Sequence, residues 1–413
     1  MIKKELVIIG GGAAGLASAI SAFDNGVKDI LVIERDDHLG GILHQCIHNG
    51  FGLTRFKEEL TGPEYANRFI EELKKRNINF VLNSQVISLT KDKIVTYSNA
   101  TDGVVEVEAK AVILATGSYE RTAGAIALNG DRVAGIMTAG TAQRYVNIHG
   151  YMVGKRVVIL GSGDIGLIMA RRLTLEGAKV LCVAEIMPYS NGLNRNIVQC
   201  LNDFDIPLKL STTVKEVKGR NRVEKVVLAK VDENKKVIPG TEEEFDADTL
   251  VLSVGLIPYT TLLDNLPIHY GRNKGAIVNQ NLETEIPGLF VCGNCLHVHD
   301  LVDFVSNEGD IAGKNAANYI KGNSGSTDYI NVVAGANVGY VVPNTINLLE
   351  KDTTSIKFRV THPLGMCKVV ISQNDKFIKS IPKINMLPSI MENIALDISL
   401  LNKEDLKVEV IYE

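Results

Sequence analysis

The sequence lacks the features that mark membrane proteins, nucleic-acid-binding proteins and disulfide-stabilised scaffolds. No uninterrupted apolar run reaches the roughly 18 residues of a membrane-spanning helix, so we expect no transmembrane segment. Lysine and arginine number 44 against 48 aspartate and glutamate, and a net charge of -4 provides no basic surface for nucleic acid. The six cysteines are scattered, which favours reduced thiols over a disulfide framework. A strand pattern starts within a few residues of Met1, so we expect no signal peptide and a cytoplasmic location.

What the sequence does contain is one glycine pattern, present twice. Each copy joins a short apolar run, a G-x-G-x-x-G turn and a helix-like stretch, and about 20 residues later an acidic residue ends another apolar run. The first glycine makes the tight turn, the second lets the backbone approach a pyrophosphate, and the third allows helix and strand to pack closely. The pyrophosphate then lies at the positive end of the helix. The first copy comprises Gly10, Gly12, Ala13, Ala14, Gly15 and Glu34, and the second Gly161, Gly163, Asp164, Ile165, Gly166 and Glu185. Two complete copies predict two dinucleotide sites, and therefore two redox cofactors that exchange electrons.

The segments that accompany the first copy resemble the FAD-binding set of the two-dinucleotide-binding-domain flavoproteins. They are Glu34 with Arg35, then Gly41, Ile42 and Leu43, then Ala115, Thr116 and Gly117, then Gly293 and Asn294, and finally Leu301 and Val302 at the start of a late helix. The resemblance implies that Glu34 binds the adenosine ribose and that the segment around Gly41 lies against the flavin. It also implies that Gly293 and Asn294 reach the ribityl chain and pyrophosphate. The family has aspartate where this chain has Asn294, and an amide can still bond ribityl hydroxyls without adding charge.

The second copy is then the pyridine-nucleotide site. Glu185 would accept a hydrogen bond from the adenosine 2′-hydroxyl and would repel a 2′-phosphate, and the next residues, Ile186 and Met187, offer no basic partner. This pattern favours NAD over NADP. Gly255, within the stretch 253–258, looks like this domain's counterpart of the Ala-Thr-Gly segment, although an ordinary tight turn is the alternative.

We therefore predict an α/β fold with two Rossmann-like three-layer dinucleotide-binding domains, the NAD domain inserted in the FAD domain, and a small C-terminal all-β, sandwich-like domain. The late helix is predicted over 300–319, with Asp300 near its N-cap. The tail alternates at period two and shows no recognisable chemistry, so we expect it to dock a partner. The clearest linker is 322–326. The predicted domains are 1–150 (FAD, first segment), 151–258 (NAD), 259–325 (FAD, second segment) and 326–413 (C-terminal, β-rich).

The loop after Gly41 carries three side chains that could do chemistry, namely His44, Cys46 and His48. A substrate or proton-relay site and a plain lining role both fit, whereas the spacing matches no standard zinc pattern. Disulfide reductases of this superfamily carry a Cys-x4-Cys pair in this region. Here no cysteine stands at the partner position after Cys46, so we expect that chemistry to be absent.

A second candidate group lies before the late helix. Cys292 and Cys295 form a Cys-x-x-Cys pattern, but it overlaps the segment assigned to FAD, which favours the buried end of a strand over a redox pair. His297 and His299 would either supply a proton or a cation beside the flavin or simply cap the chain. A helix N-terminus carries roughly half a positive charge, which would stabilise an anionic reduced flavin. Hydride transfer needs no catalytic triad, because the cofactor carries the chemistry.

Four stretches resemble a narrower group than the superfamily. They are 40–52, 115–122, 134–143 and 297–303. They are similar to FAD/NAD-dependent oxidoreductases related to the α-subunits of sarcosine oxidase, opine oxidase and hydrogen cyanide synthase, and to the bacterial flavoprotein encoded alongside a glycerol-3-phosphate dehydrogenase-like subunit.

The resemblance covers about residues 1–325 and implies an FAD protein that passes electrons between NAD(H) and a partner dehydrogenase subunit of glycerol-3-phosphate or amine and amino-acid type. A homo-oligomer is the alternative assembly. The rival functions are a stand-alone NADH oxidase or ferredoxin-type reductase and a non-catalytic NADH-sensing module, which would bind NADH without bleaching a flavin.

Overall fold

The structure is a computed structural model that describes residues 2–323, 327–350, 352–374 and 376–412. The chain divides into two units, of which the first comprises Met1–Ser118 with Pro258–Glu413 and the second Tyr119–Ile257. None of the described helices is long and apolar enough to cross a membrane. Of the predicted linker, residues 324–326 lie outside the described part of the chain.

A mostly parallel sheet organises the beginning of the first unit. Its elements, with a small hairpin, are β1 (Ile2–Ile9), α1 (Ala13–Asp24), β2 (Ile30–Ile33), β3 (Asn49–Phe51), β4 (Leu60–Thr61), α2 (Gly62–Lys75), β5 (Asn79–Val81), β6 (Gln85–Leu89), β7 (Ile94–Asn99) and β8 (Gly103–Leu114). The strand order is β5-β2-β1-β8-β7-β6. The end of β1 is an uninterrupted buried apolar run, as expected where both faces of a parallel sheet are covered. The carboxyl ends of β1, β2 and β8 lead directly into Gly10, Glu34 and Ala115.

The second unit has its own parallel sheet. Its elements are β9 (Ser118–Glu120), β10 (Ile136–Thr138), α3 (Ala139–Asn147), β11 (Arg156–Leu160), α4 (Asp164–Leu175), β12 (Lys179–Ala184), α5 (Asn194–Cys200), β13 (Leu208–Lys209), β14 (Thr212–Gly219), β15 (Val223–Lys230), β16 (Glu243–Asp246), β17 (Thr249–Leu252) and β18 (Leu256–Pro258). The parallel order is β10-β17-β11-β12-β13, and β14-β15-β16 form an antiparallel sheet.

The second unit begins at Tyr119, whereas the sequence predicted that the nucleotide domain begins at residue 151. Strand β10 pairs in parallel with β17, so the stretch before residue 150 belongs to the sheet of the second unit. The strand is three residues long in a segment rich in small residues, which gives a weak strand pattern. For that reason the sequence alone placed this segment with the first domain.

The chain then returns to the first sheet. Strand β19 (Leu289–Val291) pairs in parallel with β8, and α6 (Val302–Ile320) packs against α1. The helix begins two residues later than predicted, and its N-cap is Leu301, so Asp300 lies next to the N-cap, as predicted. The Asp300 carboxylate does not cap the helix but forms an ion pair with the Arg359 guanidinium at 3.2 Å.

The tail forms two small sheets around a common apolar core. Their strands are β20 (Tyr329–Ala334), β21 (Val338–Val342), β22 (Thr345–Asn347), β23 (Thr353–Val360), β24 (Cys367–Gln373), β25 (Lys376–Lys383), β26 (Glu392–Asp397) and β27 (Leu406–Tyr412). The orders are β22-β20-β27-β24-β25 and β21-β23-β26. Alternate residues of β23 and β24 enter the shared core. The predicted fold class, two Rossmann-like folds with a sandwich-like tail, is confirmed.

Candidate flavin and nucleotide sites

The first glycine turn has two glycines that the protein's own backbone requires and one that faces open space. A Cβ on Gly10 would lie 2.4 Å from the Ala115 carbonyl oxygen, and the backbone φ of Gly10 is +107°. A Cβ on Gly15 would lie 1.9 Å from the Gly10 carbonyl oxygen. At Gly12, by contrast, a Cβ would meet nothing within 4 Å. The space over Gly12 is therefore available to a ligand, as a pyrophosphate-binding turn requires.

The second turn repeats this division of roles. A Cβ on Gly161 would lie 2.1 Å from the Ser253 carbonyl oxygen, and one on Gly166 would lie 2.7 Å from the Ser253 Cβ. At Gly163 the nearest atom, Ser253 Oγ, would be 3.7 Å away. The residues present thus fit a dinucleotide at both turns.

The helices that follow the two turns present backbone amides that no side chain caps. Gly12 is the N-cap of α1 and Gly163 that of α4, and neither helix has a side-chain capping hydrogen bond. In contrast, Thr61 caps α2 and Thr138 caps α3. Uncapped amides at a helix N-terminus are suited to bind an anion.

The acid of the first site also fixes its glycine turn. Glu34 is buried, and its carboxylate accepts the Gly11 amide at 2.7 Å and the Asp36 amide at 2.9 Å. Arg35, next to it, is exposed. Each carboxylate oxygen has a second acceptor site. The ribose contact of Glu34 therefore stays a prediction that the geometry allows.

Glu185, the acid of the second site, likewise fixes its glycine turn and accepts one more hydrogen bond than Glu34 does. Glu185 is buried and accepts the Ser162 amide at 2.9 Å, the Ser162 hydroxyl at 2.6 Å and the Met187 amide at 2.9 Å. Asp164, in the first turn of α4, accepts the Leu193 amide at 2.8 Å and the Asn196 side-chain amide at 2.6 Å. The Asp164 carboxylate thus connects α4 to the start of α5, a role that the glycine motif alone does not predict. Ile165 follows it, partly buried.

The predicted flavin loop lies against the first turn. A Cβ on Gly41 would be 3.2 Å from the Gly12 Cα, so the two glycines that the sequence assigned to FAD come together. Ile42 is 64% exposed, whereas Leu43 is buried. A cofactor that binds over Gly12 would therefore meet this loop.

The three polar side chains of the loop have local contacts. His44 Nε2 lies 2.5 Å from the Leu39 carbonyl oxygen, and the His48 ring packs on Phe51. The Cys46 thiol donates to the Ile42 carbonyl oxygen at 3.4 Å, and burial raises its pKa to about 12. Among the described residues these three do not form a group that could hold a metal. The loop geometry supports a lining role.

The Ala-Thr-Gly segment ties the first sheet to the returning chain. The Thr116 hydroxyl donates to the Tyr259 carbonyl oxygen at 2.6 Å, and the Tyr259 amide donates to the Gly117 carbonyl oxygen at 2.9 Å. In the second unit Gly255 has φ +104°, and its carbonyl accepts the Arg121 amide. Both segments thus form hydrogen bonds with parts of the chain that are distant in sequence.

The Gly293 turn approaches the start of α1. A Cβ on Gly293 would be 2.8 Å from the Ala14 Cβ, so the two segments assigned to FAD are neighbours. Asn294 Oδ1 accepts the His299 amide at 3.0 Å, which folds the following loop. The amide that replaces the family's aspartate therefore has a structural partner within the chain.

The Cys-x-x-Cys pair is buried. The Cys295 thiol donates to the Leu114 carbonyl oxygen at 3.1 Å, and burial raises its pKa to about 11. Burial holds the pKa of the Cys292 thiol well above its usual value. Both thiols are fully buried, as the sequence favoured for Cys292, and burial disfavours the thiolate, which is the reactive form.

Sequence reasoning missed a buried ionic cluster beneath this turn. Glu308 has no exposed side-chain surface, and its carboxylate lies 2.6 Å from His297 Nε2, 3.0 Å from His299 Nε2 and 2.6 Å from Lys357 Nζ. It also accepts the Gly293 amide at 2.9 Å. Lys357 lies 49 residues from Glu308 in the sequence, so no local pattern points to this ion pair.

The charges of this cluster are fixed by its burial and its neighbours. Burial would raise the pKa of Glu308, but Lys357, His297 and His299 hold it well below its usual range. Burial lowers the pKa of His297 to about 4, so this imidazole is neutral at neutral pH and does not provide the cation considered from the sequence. With His299, His297 and Glu308 could hold a metal, but the Lys357 ammonium contacts the same carboxylate and opposes a second cation.

Comparison with known proteins identifies a family and several distant relatives. Residues 4–346 match the family described as pyridine nucleotide-disulphide oxidoreductase. An NADH oxidase of Streptococcus pneumoniae (strain R6) is 26% identical over 322 residues, which are 72% of this chain and 65% of that protein. The opine oxidase of Agrobacterium tumefaciens has a subunit that is 26% identical over 275 residues, covering 62% of this chain and 53% of that protein.

Solved structures show the same fold. Thioredoxin reductase from T. acidophilum superposes with a TM-score of 0.64 at 23% identity, covering 78% of this chain and 100% of that chain. This chain thus spans about 65% of the streptococcal NADH oxidase but the whole length of a thioredoxin reductase fold. The chain belongs to the pyridine nucleotide-disulphide oxidoreductase family, whose cofactors, FAD and NAD(P)H, its two glycine turns fit.

Proposed function

We propose that this protein transfers a hydride between NAD(H) and FAD and passes the electrons on through the flavin rather than through a cysteine pair of its own. The observation that carries the proposal is the pair of open central glycines, Gly12 and Gly163, each followed by a helix whose first amides have no side-chain cap. Two such turns accommodate two dinucleotides. A nucleotide sensor would need one.

Bound FAD supplies the two-electron chemistry, and the chain supplies position and electrostatic field. The N-terminus of α1 would hold the FAD pyrophosphate over Gly12, and the loop at Gly41 would line the ring. The start of α6 also lacks a side-chain cap, so its amides present partial positive charge. By the family resemblance this charge faces the flavin. In the second unit the N-terminus of α4 would hold the nicotinamide dinucleotide over Gly163.

The thiols argue against a disulfide relay. Burial raises the pKa of Cys46 and of Cys182 to about 12, and that of Cys200 to about 11. The Cys292 and Cys295 thiols are buried with raised pKa values as well. A disulfide reductase needs an accessible thiolate to attack its substrate. Electrons would therefore leave from the flavin to a partner protein or to a small acceptor.

Two relatives point to two different acceptors. Similarity to a component of opine oxidase supports a flavoprotein subunit of a larger dehydrogenase, and this is the acceptor arrangement that we propose. By the family resemblance, the partner would be of glycerol-3-phosphate or amine and amino-acid type. Similarity to NADH oxidase supports the rival, a stand-alone enzyme. For the nucleotide, the Glu185 carboxylate at the end of β12 favours NAD(H) over NADP(H).

One kinetic experiment tests the proposal. The purified protein is mixed anaerobically with NADH or NADPH, and its reoxidation is then followed with dioxygen and with an artificial dye as acceptors. We expect NADH to bleach the flavin faster than NADPH, with fast reoxidation by the dye and slow reoxidation by dioxygen. Rapid turnover with dioxygen alone would favour the stand-alone oxidase. A flavin that neither nucleotide reduces would refute the proposal.

A further inference from the structure

Strand β23 of the tail has side chains on both of its faces that contact other parts of the protein. In β23, Ile356 and Phe358 are buried in the core of the C-terminal sheets. Lys357 and Arg359 alternate with them and therefore project from the opposite face. That face does not point only to solvent, because both basic side chains contact the segment between β19 and the middle of α6.

The contacts are short and partly buried. Lys357 Nζ lies 2.6 Å from Glu308 Oε1, with 12% of the lysine side chain and none of the glutamate exposed. Arg359 Nη2 lies 3.2 Å from Asp300 Oδ1 and donates to the Val298 carbonyl oxygen at 3.0 Å. Arg359 also donates to the Pro388 carbonyl oxygen of the tail. The two basic side chains thus connect the tail to the chain before and within α6.

The Glu308 carboxylate connects Lys357 to the turn at Gly293, which the sequence assigns to FAD. While one oxygen faces Lys357 and His297, the other accepts the Gly293 amide at 2.9 Å. Gly293 in turn neighbours Ala14 in the first turn of α1. Lys357 is therefore two contacts away from the residues that the sequence assigns to FAD.

We infer that Lys357 is a positioning residue for the flavin: it neutralises the buried Glu308, which fixes the Gly293 turn, so that the C-terminal β domain is part of the flavin site. This inference rests on the proposed binding of FAD over Gly12. It differs from the docking role that the sequence predicted for the tail, because here the tail contributes a charge to the site.

Two consequences follow from removing the ammonium. The buried carboxylate would lose its only lysine or arginine partner among the described residues, and an uncompensated buried charge is strongly unfavourable. The Gly293 turn would then lose its fixed acceptor geometry, which weakens FAD binding. An uncompensated buried negative charge at the flavin site would also disfavour the negatively charged reduced flavin, which lowers the reduction potential.

The test compares three full-length variants with the wild type. Lys357→Met removes the charge at nearly constant length, and the double variant Lys357→Met with Glu308→Gln removes both charges. Lys383→Met is the matched control, since Lys383 forms a 2.6 Å ion pair with Glu392 inside the tail. The readouts are the FAD dissociation constant of the apoprotein and the flavin reduction potential, the latter measured with redox dyes and without NADH.

We expect Lys357→Met to weaken FAD binding by about tenfold or more and to lower the reduction potential. The double variant should recover most of both changes, and Lys383→Met should match the wild type. A Lys357→Met protein with wild-type affinity and potential would overturn the inference, as would equal changes in Lys383→Met or no recovery in the double variant. A wild-type protein that binds no FAD would instead refute the proposed function, so the two failures are distinguishable.

Discussion

At the scale of single residues, the glycines of the two turns divide into those the fold needs and those a ligand needs. Gly10 and Gly15 abut their own backbone, whereas Gly12 has ordinary extended dihedral angles of φ -80° and ψ -168° and open space beyond it. The sequence predicted all three positions, because the motif spacing is local. It did not predict Glu308, whose histidine and lysine partners come from separate parts of the chain.

Because Gly10 and Gly12 have different roles, substitutions at the two positions should have different effects. Gly12→Val should leave the thermal stability of the apoprotein nearly unchanged and abolish FAD binding, because its side chain would occupy ligand space. Gly10→Ala should lower the melting temperature, because its Cβ would lie 2.4 Å from a carbonyl oxygen at φ +107°. Flavin content and thermal unfolding measure both effects. Stoichiometric FAD in Gly12→Val would contradict the assignment of the first site.

The buried His297 predicts a pH dependence of stability. Its pKa is lowered from 6.5 to about 4, mainly by burial, so between these values the unfolded chain binds a proton that the folded chain does not. With respect to this group, the free energy of unfolding is therefore highest above about pH 6.5. It decreases as the pH falls toward 4, by up to about 3 kcal/mol. The lowered pKa of Glu308 acts in the same direction below its usual value.

The matched variant is His297→Gln, which keeps a donor for Glu308 but does not titrate. Melting temperatures of the wild type should fall more steeply than those of this variant as the pH drops from 6.5 to 4. Parallel profiles would show that His297 does not remain neutral in the fold.

At the scale of elements, helices α1 and α6 pack closely enough that glycine is required between them. A Cβ on Gly309 would lie 2.3 Å from the Ala14 carbonyl oxygen, and one on Gly313 would lie 2.2 Å from that of Ser18. The sequence predicted both helices and the start of α6 to within two residues. It did not predict their mutual packing, since small residues on a helix face do not specify a partner.

Replacing Gly309 by alanine tests this packing. We expect the free energy of unfolding to decrease by about 1–3 kcal/mol, since a backbone oxygen can move away only if a helix shifts. FAD binding should weaken as well, because Ala14 lies in the first turn of α1. Gly365→Ala is the control, as a Cβ there meets nothing within 4 Å. Equal melting temperatures for the two variants would contradict the close packing.

At the scale of the whole molecule, the sequence predicted the kinds of domain more accurately than their limits and connections. The inserted nucleotide fold and the β-rich tail follow from period and motif. The contact of β23 with α6 does not, because a period-two pattern shows which side chains share a face but not what covers that face.

This contact changes the outcome expected from truncation after Gly325. If the tail only docked a partner, as the sequence predicted, flavin reduction would be nearly intact without it. Truncation removes Lys357 and Arg359, however, and leaves Glu308 and Asp300 without these partners. We now expect the soluble truncated protein to lose most of its FAD, measured as flavin per chain. Stoichiometric FAD that NADH reduces at the wild-type rate would restore the original docking role.

The central claim is that one chain holds two separable dinucleotide sites, FAD over Gly12 and NAD(H) over Gly163. Anaerobic stopped-flow reduction of Gly163→Val by NADH tests it most directly, because a Cβ at Gly163 would have no atom closer than 3.7 Å in the fold. The account predicts a yellow protein with full flavin content that NADH no longer reduces quickly but dithionite does. Reduction by NADH at the wild-type rate would contradict it.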